Sequence, residues 1–149
     1  MNNQMNKFKY FELDEFLSSD TAKARRIDNY PTFETVDHLA ALVMTILDPL
    51  RAAWGSGLNV TSGYRCRALN AAVGGVGTSA HLRGYAADIV PANGRIDEFM
   101  KFAEDWLRKT NTPFDQSICE KDSRGRRWWH IGLYSQTGAQ RRQYLSLTK

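Results

Sequence analysis

The strongest pattern of apolar and polar positions lies in the segment TFETVDHLAALVMTILDPLRAAWG, residues 32–55. Its apolar residues recur at intervals of three and four positions, which is the period of a helix buried along one face. Thr32 or Thr35 is suited to cap the start of this helix, and Gly55 is suited to end it. Pro49 predicts a bend within it, because proline removes a backbone hydrogen bond.

Other segments predict shorter elements. RIDEFMKFAEDWLRKT predicts a second amphipathic helix, and CRALNAAVGG predicts a short helix closed by glycines. Alternation of apolar and polar residues between turn residues is typical of strands. It predicts strands in the segments LNVT, GYAADIVP, FDQSICE and RRWWHIGLY, the last two joined by the polar turn KDSRGR.

The order of these elements predicts an α+β fold. A helix-rich first half followed by strands with a helix between them favours a small, mainly antiparallel sheet flanked by helices. The length of 149 residues is that of about one domain. We therefore expect residues 1–149 to form a single domain, with residues 1–32 as an irregular N-terminal lead-in that packs on it and contains one short amphipathic piece.

Composition narrows the possible partners. Lys and Arg outnumber Asp and Glu by 20 to 16, and the resulting charge of +4 favours an anionic partner such as a cell-wall polymer or nucleic acid. So small an excess is also what a solvated basic surface gives. The basic runs RGRRWWH and QRRQ show neither a basic helix face nor an RNA-binding aromatic signature, so we expect no nucleic-acid partner.

Two further features concern the cell compartment. The only cysteines, Cys66 and Cys119, form no disulfide framework and no CxxC metal pair, so we expect two buried free thiols, with a single bridge as the alternative. No run approaches the roughly 18 apolar residues of a membrane span. The N-terminal segment MNNQMNKFKYFELDEF lacks the apolar core of a signal peptide. We therefore expect synthesis in the cytoplasm.

Candidate chemistry begins with the stretch TSAHLRGYAADIV, which contains His81 and Asp88. A carboxylate on a half-buried strand must point to solvent or to a group that compensates its charge, such as a metal ion. His130 lies on another predicted strand, on the same face as Trp128. If these strands are neighbours, two histidines and one carboxylate can converge, which is the ligand set of a catalytic zinc site. Residue types alone leave structural or solvent-facing roles equally open.

Several motifs carry a resemblance to a known family. SAHLRGYAAD resembles the S-x-H-x-x-G-x-A-x-D motif of the zinc D-Ala-D-Ala carboxypeptidases and endolysin peptidases, the M15 metallopeptidases of the LAS group with a hedgehog-like fold. WWHIGL is similar to the W-x-H strand of that family, and VTSGYRCRALNAAVGG to its S-G-Y-R…N…G-G segment. LDPLR and FDQSICE have counterparts in a phage- and prophage-associated branch. The resemblance covers roughly residues 8–145.

The resemblance implies a site for one Zn²⁺ ion. Its ligands would be His81, Asp88 and His130. Arg65 would hold the carboxylate or carbonyl of a peptide substrate, a role suited to a planar cation, although a surface salt bridge is the ordinary role of such a residue. Gly84 would provide the turn between the first two ligands.

Other residues are expected beside the metal and the substrate. Ser79 would support the loop that holds His81, while Ala86 and Ala87 would leave room beside the metal. Trp128 could form the floor of the substrate cleft, whereas Trp129 is most simply a core residue. The expected substrate-binding residues are Tyr64, Arg65, Asn70, Ser79 and Trp128.

The general base is where the sequence departs from several relatives, which place an acid three residues before the last histidine. Arg127 occupies that position here. Glu120, at the end of the preceding strand, is the favoured base, with Asp115 and Asp122 as alternatives. A solvated acid at a strand end would be its ordinary structural role.

We therefore expect a zinc-dependent metallopeptidase that hydrolyses peptide bonds in bacterial peptidoglycan stems or cross-bridges, as a D-Ala-D-Ala carboxypeptidase or an endopeptidase. It would be a monomer that acts on the cell wall, after holin-type release if the protein is a phage lysin. The alternative is a non-catalytic, zinc-stabilised domain of the same fold that binds the wall or a partner.

Overall fold

The computed structural model describes residues 8–149, and the N-terminal part of the predicted lead-in, residues 1–7, lies outside this range. Residues 8–149 contain five α-helices: α1 Asp20–Arg25, α2 Phe33–Leu42, α3 Asp48–Trp54, α4 Arg67–Ala72 and α5 Ile96–Thr110. The same described range contains five strands: β1 Leu58–Ser62, β2 Ala86–Pro91, β3 Gln116–Lys121, β4 Arg127–Gly132 and β5 Gln143–Thr148. Short 3-10 helices cover Leu13–Phe16 and Ala80–Arg83, both outside the five α-helices.

The strands form one sheet in the order β1-β2-β4-β3-β5. All neighbouring pairs are antiparallel except β3 and β5, which are parallel. The predicted α+β class and the mainly antiparallel sheet are therefore confirmed. Because β4 lies next to β2, the candidate ligands on these two strands can meet.

The predicted long helix follows its sequence pattern but changes geometry in the middle. Thr32 caps its start, because its hydroxyl accepts a hydrogen bond from the backbone N–H of Thr35 at 3.1 Å. Residues Val43–Leu47 form a π-helical turn between α2 and α3. A proline ring clashes with the carbonyl four residues earlier, and a wider turn just before Pro49 relieves that clash. Gly55 ends α3 with a φ of 78°.

The core lies between the helices and one face of the sheet. Trp129 is fully buried and makes an edge-to-face contact with Phe99 of α5 at 5.5 Å between ring centroids. Because side chains alternate along a strand, Trp128 and His130 must lie on the opposite face of β4. This opposite face carries the candidate site.

The short amphipathic piece expected in the lead-in falls where the structure has two short helices, whereas the last strand of the sheet was not expected. The lead-in contains a 3-10 helix and α1, and buries Phe11 and Phe16 in the core. Strand β5 was not predicted at all. The two cysteines are free and half-buried. Within residues 8–149, no helix combines the length and the hydropathy needed to cross a bilayer.

Candidate metal centre

Three buried side chains from separate elements meet on the open face of the sheet. His81 lies in the 3-10 helix that precedes β2, Asp88 lies in β2, and His130 lies in β4. Asp88 and His130 are direct cross-strand partners. One ligand atom from each of the three residues lies within 4.8 Å of the other two. The structure thus brings together the three residues that the sequence predicts as ligands.

The spacing of the donor atoms fits a tetrahedral metal ion. Asp88 Oδ1 lies 3.2 Å from His81 Nε2 and 3.1 Å from His130 Nδ1. In a tetrahedral zinc site with bonds of about 2.0–2.1 Å, neighbouring ligand atoms are separated by about 3.3 Å. Two imidazole nitrogens and one carboxylate oxygen are also a donor set that zinc prefers.

The backbone of the turn that follows β1 orients the His81 ring. His81 Nδ1 lies 2.7 Å from the carbonyl oxygen of Gly63, which can only accept a hydrogen bond, so Nδ1 carries the proton. The other ring nitrogen, Nε2, is then free to bind a metal, as is usual for histidine ligands that donate to a carbonyl. Sequence reasoning did not assign this role to Gly63, although it lies within the SGYR segment that supports the family resemblance.

Only glycine fits at position 63. A Cβ atom there would lie 2.4 Å from the carbonyl oxygen of Phe16. The N–H of the next residue, Tyr64, donates to that same oxygen at 2.7 Å. The close approach of the N-terminal segment to this turn therefore fixes the carbonyl that orients His81.

The ionisation of the cluster favours metal binding. Burial raises the pKa of Asp88, but its contacts with the two histidines more than offset this and hold the pKa below its usual range. Burial lowers the pKa of His81 by more than neighbouring Asp88 raises it. A carboxylate and a neutral imidazole are the forms that coordinate metals.

Hydrogen bonds of Ser79 and the close approach of Gly84 hold the loop around His81. Ser79 caps the 3-10 helix, and its hydroxyl accepts hydrogen bonds from the His81 backbone N–H at 3.2 Å and from Arg65 Nη2 at 3.3 Å. Gly84 ends this helix with a φ of 77°, and a Cβ there would lie 2.8 Å from the Thr35 carbonyl oxygen. Both features place the ligand helix tightly against α2.

Two open cavities lie on this face and share Arg65. The first has a volume of about 590 Å³, and its lining includes Asp88, Tyr64 and Trp128. The second has a volume of about 740 Å³, and its lining includes His81, His130 and Glu120. The metal-ligand cluster therefore borders both cavities.

Arg65 has an unused donor at this border. Its Nε atom is buried and has no hydrogen-bond partner among residues 8–149. Burial lowers the pKa of Arg65, while the negative charges of Asp88 and Glu120 raise it. Because guanidinium remains charged at any pH relevant to proteins, its terminal N–H groups can donate to a ligand in the cleft, whereas Nε is enclosed by the protein.

Glu120 lies on the same face, one step along the sheet from the ligands. It is 5% exposed and pairs across the strands with Trp128, whose Nε1 donates a hydrogen bond to the carboxylate. Glu120 and His130 are diagonal neighbours in this antiparallel pair, for which Cα atoms are about 7–8 Å apart. Lys149 Nζ lies 3.5 Å from the other carboxylate oxygen of Glu120.

The two alternative acids have structural partners. Arg141 holds both carboxylate oxygens of buried Asp115 at 2.8 and 2.7 Å. Asp122 lies in the β3–β4 turn, where it accepts hydrogen bonds from backbone N–H groups and from the Arg126 side chain at 2.6 Å. Asp122 lines the first cavity, apart from the two histidine ligands in the second.

Asn70 occupies a different position from the other predicted substrate-binding residues. It is buried, and its side-chain amide donates to the carbonyl of Val76 at 3.0 Å. A Cβ at Gly75 would lie 2.1 Å from Asn70 Oδ1. Asn70 therefore supports the loop that forms part of the cavity wall, whereas Tyr64, Arg65 and Trp128 face the cavities themselves.

Comparison with known protein families gave one match. The model of the family described as Peptidase M15 matches residues 9–122, about three quarters of the chain. The match includes His81, Asp88, Arg65 and Glu120 but ends before β4, so the place of His130 in the site rests on the fold. A comparison with curated proteins found no match. The extent of the family match shows that the chain belongs to the Peptidase M15 family, whose members are zinc-dependent metallopeptidases.

Proposed function

We propose that this peptidase hydrolyses peptide bonds in bacterial peptidoglycan, in the stems or the cross-bridges, with one Zn²⁺ held by His81, Asp88 and His130. The observation that carries the proposal is the convergence of these three donors on the border of a two-part cleft in an M15 chain, with Asp88 Oδ1 3.2 and 3.1 Å from a ring nitrogen of each histidine. When bound, zinc supplies a Lewis acid that polarises a carbonyl and lowers the pKa of water.

Glu120 is the proposed general base. It takes a proton from the attacking water and delivers it to the leaving nitrogen as the C–N bond breaks. The Trp128 hydrogen bond and nearby Lys149 hold the carboxylate in place. The bidentate contact of Asp115 with Arg141 argues against that residue as the base, because its oxygens are already used.

Arg65 is the proposed substrate clamp. Arg65 lines both cavities, so its guanidinium can donate to a carbonyl or carboxylate of a bound peptide. A cleft with room on both sides of this residue accommodates peptide on both sides of the cut bond. This feature favours an endopeptidase that cleaves an internal bond over a carboxypeptidase that removes only the last residue.

A second candidate function is a zinc-stabilised domain that binds the wall without cleaving it. Arg127, in place of an acid three residues before His130, is the observation that favours it. The two functions differ in turnover but not in metal binding.

The test is mass spectrometry of purified peptidoglycan after incubation with the zinc-loaded protein, with His81→Ala as the control. New fragments that end at a cut peptide bond, in the wild-type digest alone, are the expected result and also identify the bond. Bound zinc with no new fragments from walls of several chemical types would favour the non-catalytic binder.

A further inference from the structure

The last strand of the sheet presents two exposed leucines on the face that carries the metal ligands. Leu145 is 37% exposed and Leu147 is 45% exposed, and both line the second cavity together with His81 and His130. β5 is an edge strand. Solvent-facing positions of an edge strand are usually polar or charged, because exposed apolar edges promote aggregation.

The orientation of β5 is fixed by its opposite face. The ring of Tyr144 packs against Phe114 at 5.1 Å between centroids, and Arg108 lies over the other part of that ring at 4.1 Å. Alternation then directs Leu145 and Leu147 away from the core. Their exposure is thus a consequence of the strand register.

That register places the leucines in line with the site. Asp88 pairs with His130, His130 pairs with Ile118, and Ile118 pairs with Leu145. The same face of the sheet therefore runs without interruption from the metal ligands to the edge strand. In the next row, Glu120 pairs with Leu147.

A positively charged side chain lies beside the pair formed by Glu120 and Leu147. Lys149 follows β5, and its Nζ lies 3.5 Å from Glu120 and 5.9 Å from the ring centre of Trp128. The lysine side chain is 54% exposed and carries three donor hydrogens, so it retains capacity for a second anion in the same cavity.

We propose that Leu145, Leu147 and Lys149, which we term the β5 shelf, determine which substrate side chains bind on the β5 side of the metal ligands. The leucines contact an aliphatic side chain of the peptide, and Lys149 binds a carboxylate on the same peptide. This inference rests on the proposed function and adds the residues of this chain that select among wall peptides. Two features support a peptide as the occupant. The shelf lies on the same face of the sheet as the metal ligands, and Lys149 carries a positive charge.

The first test concerns the leucines. In the double variant Leu145→Ser and Leu147→Ser, KM for a wall peptide should rise about tenfold with little change in kcat, because the lost contact is apolar and uniform through the reaction. The matched control is Thr148→Ala, on the same strand but the opposite face. Equal KM values for the double variant and the wild type would overturn the role of the leucines.

The second test concerns Lys149. Synthetic wall peptides with a free or an amidated glutamate carboxylate are compared as substrates of the wild type and of Lys149→Met. The wild type should prefer the acidic form about tenfold or more in kcat/KM, and the variant should lose that preference. A ratio unchanged by Lys149→Met would overturn carboxylate recognition by this residue.

These outcomes separate the shelf from the proposed function. If the wild type cleaves wall peptides and the variants keep its KM and charge preference, the role of the β5 shelf is rejected and the proposed peptidase function is kept. A wild type that cleaves no wall peptide removes both. Thermal unfolding and zinc content are measured for each variant. They show whether the variant is folded and metal-loaded, so that a change in KM can be attributed to the lost contact.

Discussion

Asp88 and His130 are cross-strand partners on β2 and β4, with Asp88 Oδ1 only 3.1 Å from His130 Nδ1. The sequence separates them by 42 positions, and the connection between them contains α5, β3 and the β3–β4 turn. The pairing of two strands therefore brings together two of the three candidate metal ligands, and a short 3-10 helix adds His81 to them.

The first prediction concerns the proposed base. Glu120→Gln should lower kcat for wall peptides by about 100-fold or more while zinc content stays the same, because the amide cannot accept the proton. Steady-state kinetics and metal analysis of the purified variant check both parts.

Asp122→Asn is the matched control, since this acid lies in the turn after β3 and has hydrogen-bond partners of its own. It should retain turnover. If Glu120→Gln turns over as fast as the wild type, Glu120 is not the base.

The second prediction concerns Asp115. This buried carboxylate is held by both nitrogens of one edge of Arg141, so Arg141→Gln should reduce the free energy of unfolding by about 3 kcal/mol by leaving a buried charge unpaired. Urea unfolding measures this loss. An unchanged unfolding midpoint would mean that the ion pair has no structural role.

The third prediction concerns the turn that orients His81. Gly63→Ala should destabilise the fold by about 1–3 kcal/mol, because the added Cβ would lie 2.4 Å from the backbone of Phe16. It should also weaken zinc binding by displacing the carbonyl that accepts from His81.

Gly77→Ala is the control, because a Cβ at that position meets no atom within 4 Å. Thermal unfolding and zinc titration of the two variants give the comparison. Wild-type values for Gly63→Ala would contradict the role assigned to this turn.

The fourth prediction concerns Cys119. Burial and the neighbouring Glu104 carboxylate raise the pKa of the Cys119 thiol to about 11. The thiolate fraction at pH 8 is then roughly a hundredfold lower than for an ordinary cysteine, so alkylation should be slow. Mass spectrometry of iodoacetamide labelling, with the protein unfolded in urea as the control, measures the rate. Equal rates in the folded and unfolded protein would refute this.

Much of the fold can be predicted from the local pattern of apolar and polar residues. The period of the long helix, the alternation in β2 and β4, and the turn between β3 and β4 are all visible in the sequence, because each reflects which face of one element is buried. The sequence predicts a bend at Pro49, and the structure has a π-helical turn just before it. This turn relieves the clash between the proline ring and the carbonyl four residues earlier.

The ligand set was predictable for a different reason. The spacing of His81 and Asp88 and the histidine after a tryptophan pair match a family motif, and the motif supplies the convergence that spacing alone leaves open. The Gly63 carbonyl was not predictable, because a backbone atom has no sequence signature and its position depends on contact with Phe16.

Strand β5 and its contact with the site could not be predicted for a similar reason. It pairs in parallel with β3, and it reaches that position only after the chain has left β4. Its leucines look like exposed residues of a short polar tail until the register places them beside Ile118 and Glu120. Long-range pairing of this kind is set by tertiary packing and not by local propensity.

The central claim is that one metal ion binds between His81, Asp88 and His130, and anomalous diffraction at the zinc edge from crystals grown with zinc tests it most directly. One strong peak is expected within about 2.0–2.2 Å of His81 Nε2, His130 Nδ1 and an Asp88 carboxylate oxygen. The peak should vanish in His130→Ala and persist in His38→Ala, which removes the remaining histidine of the chain. A peak elsewhere, or none at these three side chains with zinc present, would contradict the account.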